Sequence, residues 1–105
     1  MQKGDLVLIS FPFTNLKGAQ RRPAVVLVVN EIDIIVCFIT SKIDSTSDTD
    51  LLIIPRHNNG LKRISTVRVD KIATLAKDLV KGKIGELSGE EISEVNVRLI
   101  RIFEL

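Results

Sequence analysis

Tryptophan and tyrosine are absent from this 105-residue chain, and cysteine and histidine occur once each. A single Cys37 in an apolar segment permits neither a disulfide framework nor a thiolate metal cage, so it reads as a small core residue. A single His57, in the turn-like stretch Arg56-His57-Asn58-Asn59-Gly60, excludes a two-histidine acid–base pair for cleaving RNA. Four Phe without Tyr or Trp cannot easily line a groove for proline-rich peptides. No apolar run approaches the ~20 residues needed to span a bilayer, and charged Lys3 and Asp5 interrupt any signal-peptide pattern, so a cytoplasmic location with no membrane partner is expected. One-sided charge is missing too. Fifteen basic against thirteen acidic side chains leave +2, so a nucleic acid would have to be held by a local cationic groove. There is no Ser-His-Asp signature, no phosphate-cradling glycine motif and no metal-ligand spacing, and Asp44, Asp48 and Asp50 lack a calcium-loop pattern; no metal or cofactor is expected.

What is present is 45% apolar residue content arranged in short β-branched runs. The length and composition predict one domain over 1–105, small enough that burial in a dimer is expected. Residues 5–11, rich in Leu, Val, Ile and Phe and stopped by Pro12, predict a strand. Residues 14–22 read as a long loop, and 24–29 with 32–39 form a hairpin around Asn30-Glu31. The polar, acidic stretch 44–50 reads as a mobile surface loop, followed by a short strand at 51–54. After the turn at Asn59-Gly60 come strands at 64–69 and 72–75, a helical turn near 77–80 and a closing strand at 83–87. Ser88 with Glu91 makes a capping box, and Ile92, Val95, Leu99 and Phe103, with Ile102 alongside, recur at helical spacing. The sum is a mainly β, strongly bent sheet or partly open barrel with one C-terminal helix.

Two local features suit phosphate chemistry. The proline after Arg22 holds that residue extended and so pre-aims its guanidinium, while Arg21 projects to the other side. Thr40-Ser41 ends the most apolar strand, where hydroxyls emerge from a rigid element and can donate to a phosphate oxygen. Read alone, the Arg is a solvated strand entry, and the hydroxyls are simple strand termination.

Taken together, the fragments carry more. The chain resembles the MazF/PemK family of toxin endoribonucleases in Gly4-Asp5-Leu6-Val7, Arg22-Pro23-Ala24-Val25-Val26, Ile39-Thr40-Ser41-Lys42, Gly60-Leu61 before Ser65-Thr66-Val67, Asp70-Lys71-Ile72, and Lys83-Ile84-Gly85-Glu86-Leu87-Ser88. The series runs in order through nearly the whole sequence. The resemblance implies an SH3-like barrel with a C-terminal helix, a homodimer, and the toxin half of a type II toxin–antitoxin pair. It also implies metal-independent cleavage of single-stranded RNA at a short sequence, leaving a 2′,3′-cyclic phosphate and a 5′-hydroxyl. Arg22 and Thr40 match the catalytic positions, Arg22 stabilising charge and Thr40 orienting the phosphate. A guanidinium stays protonated at physiological pH, which favours this electrostatic role over proton transfer. RNA contacts are expected from Phe13, Gln20, Arg21, Ser41, Ser65 and Lys71, where Lys71 replaces a polar amide of some relatives. The partner implied is an acidic, partly disordered antitoxin that orders on binding. Two alternatives remain open: a gyrase poison of the CcdB kind, disfavoured by the lack of Trp near the C-terminus, and an inactive homologue that only binds antitoxin.

Overall fold

The computed structural model describes residues 1–11, 20–43 and 47–105, with the backbone alone at 11 and 20. Six strands, β1 (Asp5–Phe11), β2 (Gln20–Val29), β3 (Asp33–Thr40), β4 (Asp50–Ile53), β5 (Ser65–Ala76) and β6 (Val80–Glu86), precede helix α1 (Gly89–Phe103). They form one antiparallel sheet in the order β4-β5-β3-β2-β1-β6. The mainly β sheet with a terminal helix is the architecture expected from the sequence.

Both sheet faces carry apolar clusters, which explains why the strands read as near-continuous apolar runs and not as clean alternation. One face, with Leu6, Val25, Cys37, Ile39, Ile53 and Val67, packs under α1 through Val95, Ile92, Leu99 and Ile102. The other, with Val7, Ile9, Ala24, Val26, Ile34 and Val36, is capped by Leu75, Leu79 and Val80 around the 3-10 turn Lys77–Leu79. Cys37 is buried as expected, and burial pushes its thiol up to about 12, which keeps it protonated and unreactive.

The sheet bends until its two edges nearly meet. Glu86 N–H at the β6 edge donates to Asn58 O in the turn that follows β4, at 2.9 Å. Asn59, fully buried, holds that turn: its Oδ1 accepts from Arg56 N–H (3.0 Å) and Leu61 N–H (3.1 Å), and its Nδ2 donates to Ile54 O (2.9 Å). Gly60, at φ +70°, and Gly85 complete the seam, because a Cβ at Gly60 would strike the Ile84 backbone and one at Gly85 the Asn59 backbone. Arg56 then clamps Glu91 bidentately, Nη1 to Oε2 at 2.7 Å and Nη2 to Oε1 at 2.6 Å. Glu91 is also the reciprocal half of the capping box with Ser88, so one carboxylate ties the turn to the start of α1.

Several boundaries depart from the sequence reading. β2 begins at Gln20, so Arg21 and Arg22 belong to the strand and not to a loop. The two strands expected at 64–69 and 72–75 are one, because three inserted residues bulge without breaking the ladder: Cys37 pairs with Ile72, yet the next residue, Phe38, pairs with Arg68. The acidic stretch 44–50 is not wholly a surface loop; 44–46 lie outside the described residues, but Asp50 is buried and opens β4, its Oδ2 accepting Ser47 N–H at 3.0 Å. Phe103 is not on the core stripe of α1; it is 56% exposed, and Ile102 takes its place in the seam.

Candidate active site

Cross-strand pairing decides which side chains share a face. The rung Ala24–Phe38–Arg68–Asp50 runs across β2, β3, β5 and β4, and the next on the same face runs Thr40–Thr66–Leu52. Carrying the β2–β3 register two residues on sets Arg22 opposite Thr40. Arg22, Thr40, Thr66, Arg68 and Phe38 therefore stand on the face away from α1, beyond the apolar cluster that covers the rest of it. A groove of about 910 Å³ opens there, lined by Arg22, Phe38, Thr40, Ser41, Lys42, Ser65, Arg68, Asp70 and Lys71 with Pro23, Ile39 and Ile72.

Each polar side chain reaches this groove for a local reason. Arg22 sits in β2 beside Ile9 of β1, with Pro23 directly after it holding the backbone extended. Thr40 ends β3; its Oγ1 accepts Lys42 N–H at 3.1 Å, and the hydroxyl proton has no acceptor among the described residues. A hydroxyl whose lone pair is already engaged is oriented to donate. Asp70 and Lys71 are carried outward by the β5 bulge, Lys71 Nζ standing 3.6 Å from Asp70 Oδ2. Arg68 is backed by buried Asp50, Nε to Oδ1 at 3.4 Å. Among the described residues, four cationic side chains against one acidic one line the groove, the local cationic surface that a chain of nearly balanced charge requires to hold a polyanion.

The residues expected at the site divide accordingly. Arg22, Thr40, Ser41, Ser65 and Lys71 come together in the groove. Ser65 is 5% exposed and its Oγ donates to Arg63 O at 2.9 Å, so its hydroxyl is spent on the backbone. Arg21, opposite Ser10 of β1, is exposed and is not among the lining residues, as the alternation of β2 requires. Phe13 and the Gln20 side chain lie outside the described residues. His57 is exposed in its turn, away from the groove. Sequence reasoning passed over Lys42, Phe38, Thr66 and Arg68. Thr66 and Arg68 alternate with core residues along β5, but only the register of the bulge shows that they face Thr40.

Among the described residues no three His, Cys, Asp or Glu side chains gather as a metal site, and no helix is long and apolar enough to cross a membrane.

The chain superposes on an endoribonuclease in complex with its cognate antitoxin from a mycobacterial species, with a TM-score of 0.78 at 20% identity over 100% of this chain and 96% of that one. It is similar to the toxin MazF-mt6 of Mycobacterium tuberculosis (TM-score 0.76, 20% identity, 96% and 97% of the two chains) and to MazF of Deinococcus radiodurans (TM-score 0.76, 21% identity, 100% and 97%). At such identities these matches establish the fold. No curated protein matches the chain. Residues 2–103 match the model of the PemK-like, MazF-like toxins of type II toxin–antitoxin systems, and the chain belongs to that family.

Proposed function

We propose that this chain is an endoribonuclease toxin that cleaves single-stranded RNA within the groove, with Arg22 and Thr40 at the reacting phosphate. The observation that carries the reading is that a guanidinium of β2 and a hydroxyl at the end of β3, its proton without an acceptor among the described residues, line one cationic groove. The RNA 2′-hydroxyl attacks the adjacent phosphorus, its proton leaves to solvent or a nearby acceptor, and the bond to the 5′-oxygen breaks. The departing 5′-oxygen takes a proton from solvent, so that a 2′,3′-cyclic phosphate and a 5′-hydroxyl result. Negative charge grows on the non-bridging oxygens in the transition state. A guanidinium and an oriented O–H donor there stabilise that charge more than the ground state. Lys42 and Lys71 draw the strand in, and Ser41 offers a further hydroxyl. Phe13, Gln20 and Arg21 complete the proposed set of RNA contacts.

An acidic antitoxin and a second copy of the chain are the proposed partners; in support of the first, one mycobacterial relative is found with its cognate antitoxin. A polyanionic segment would compete with RNA for these cations. The test is incubation of purified protein with mixed-sequence single-stranded RNA in EDTA, followed by end mapping, with Arg22→Ala and Thr40→Ala alongside. Discrete cuts bearing cyclic phosphate ends are expected from the wild type. Cleavage should fall at least a hundredfold in Arg22→Ala and roughly tenfold to a hundredfold in Thr40→Ala, with circular dichroism unchanged. Full activity in both folded variants would remove these residues from the mechanism. Intact RNA from the wild type across varied substrates, together with inhibition of gyrase supercoiling, would move the assignment to the other toxin class.

A further inference from the structure

The residue that holds the seam shut is also the most labile amide in the sequence. Of the five asparagines, Asn59 alone precedes a glycine. Glycine has no Cβ to shield its backbone nitrogen and the widest choice of φ and ψ, so in a flexible chain that nitrogen reaches the preceding carboxamide easily. The fold prevents this. The Asn59 side chain is fully buried, its Oδ1 is held by Arg56 N–H and Leu61 N–H, and its Nδ2 is held by Ile54 O. Gly60 is wedged at φ +70°, where even a Cβ would stand 2.0 Å from Ile84 O. Yet the protection is local, because Arg56, His57, Asn58 and Gly60 are all exposed and only the Glu86–Asn58 hydrogen bond and the Arg56–Glu91 clamp tie the turn to β6 and α1. Opening the turn, with the core still packed, frees the pair to react.

We propose that Asn59 is a self-modification site controlled by the seam: the closed turn protects it, and an opened turn converts it to products that cannot close again. The Gly60 nitrogen gives its proton to solvent and attacks Asn59 Cγ. The Cγ–Nδ2 bond breaks, ammonia leaves, and a five-membered succinimide remains. One water then opens the ring at either carbonyl, leaving an aspartyl or an isoaspartyl linkage. No other reactant is needed. Neither product fits the turn. A carboxylate oxygen would face Ile54 O where Nδ2 donates, and its charge would be buried among backbone groups, the Arg56 guanidinium being already clamped to Glu91. The isoaspartyl linkage lengthens the main chain by a methylene beside Gly60 and Gly85, where there is no space for a Cβ. Opening thus becomes one-way, and a chain that stays open is retired instead of refolding, whatever the groove binds.

The experiment incubates the full chain at mildly alkaline pH, folded in buffer and unfolded in guanidinium chloride, and follows Asn59 by peptide mass spectrometry through the mass gained when NH2 becomes OH. Conversion is expected to be at least about a hundredfold slower in the folded chain, while exposed Asn30, followed by Glu31, differs less than about threefold between the two states. When a half-converted sample is diluted to refold and separated by gel filtration, both products at position 59 should be depleted at least about tenfold in the compact fraction. Arg56→Ala, which frees the turn from α1, should convert at least about threefold faster than wild type in buffer, with amide exchange in the β2–β3 core unchanged. Equal conversion of Asn59 in both states overturns the protection, and compact chains as rich in product as the expanded ones overturn the one-way closure. A wild-type rate in folded Arg56→Ala overturns the seam as the trigger.

Discussion

The turn that closes the barrel and the groove on the other face handle their buried polar atoms in opposite ways. At the closing turn both polar atoms of the Asn59 side chain are used, Arg56 and Glu91 make two short hydrogen bonds, and Glu91 also completes the helix cap. At the groove, among the described residues, buried Thr66 Oγ1 has no hydrogen-bond partner, Arg68 Nε and Asp50 Oδ1 meet only as an ion pair at 3.4 Å, and the Thr40 proton has no acceptor. An unmade buried hydrogen bond costs about 1–3 kcal/mol, so a small domain keeps several only where something else selects for them. Buried Asp5 Oδ1 is the scaffold's counterpart of Asp50 Oδ1: it too lacks a hydrogen bond and has a cation close by, Lys83 Nζ at 3.3 Å, but that Lys83 is itself held by Glu86. One region spends its polarity on shape, and the other keeps it available.

The sharpest way to break this contrast is Asn59→Ala. Removing the amide strands Ile54 O and the N–H groups of Arg56 and Leu61 around a fully buried side chain, next to the Gly60–Gly85 seam. A loss of about 3 kcal/mol is expected in urea unfolding, by the cost of several unsatisfied buried groups. RNA cleavage per folded molecule should be unchanged, because no groove residue touches the turn. A loss below ~1 kcal/mol would mean that the seam, and not Asn59, holds the sheet closed.

The two regions were also unequally legible in the sequence. The scaffold announced itself: β-branched runs placed the strands, Ser88 and Glu91 marked the helix start, and Asn59-Gly60 marked the turn. Arg22 and Thr40 were reachable because Pro23 and the end of an apolar strand fix where they leave the sheet. Arg68 and Asp50 were not, because their meeting depends on the three-residue bulge in β5 and on the burial of an aspartate at the end of an acidic, polar stretch. Local composition reads such a stretch as loop, and only long-range pairing with Arg68 makes it a strand start. Phe103 failed for a simpler reason: at 3.6 residues per turn it lies one step around the helix from Ile102, and the register of α1 on the sheet selects Ile102. Val97, Ile100 and Phe103 consequently form an exposed stripe.

A smaller effect, of the opposite sign, is expected at Thr66. Its hydroxyl is buried without a partner, while its methyl group and backbone fit the rung between Thr40 and Leu52. Thr66→Val keeps the branched shape and removes the unsatisfied oxygen, so the folded state should gain about 1 kcal/mol, read as a higher urea midpoint at constant slope. If stability falls, the hydroxyl has a partner in solution, and the groove is less uncommitted than its geometry indicates.

The smallest effect tests the scaffold side through pH. The hydrogen bonds from Arg56 hold the Glu91 carboxyl below its ordinary value of 4.5, against the opposing pull of partial burial and with further help from Ser88 N–H. Glu91→Gln preserves the reach back to the helix cap, since Gln serves that position too, and removes only the charge. The pair is only part-buried, with the Arg56 side chain 37% exposed, so the variant should melt about 3 °C lower near neutral pH. The sign with pH follows from the lowered carboxyl. Its contribution is fully present above the ordinary carboxyl value and drains away as pH falls through the depressed one, because the unfolded chain then takes up the proton first. The difference in melting temperature between wild type and Glu91→Gln should therefore hold from pH 7 to about 5 and close in stronger acid. A gap that is independent of pH would assign the loss to packing of the side chain, and would leave the closing turn held by Asn59 without electrostatic help.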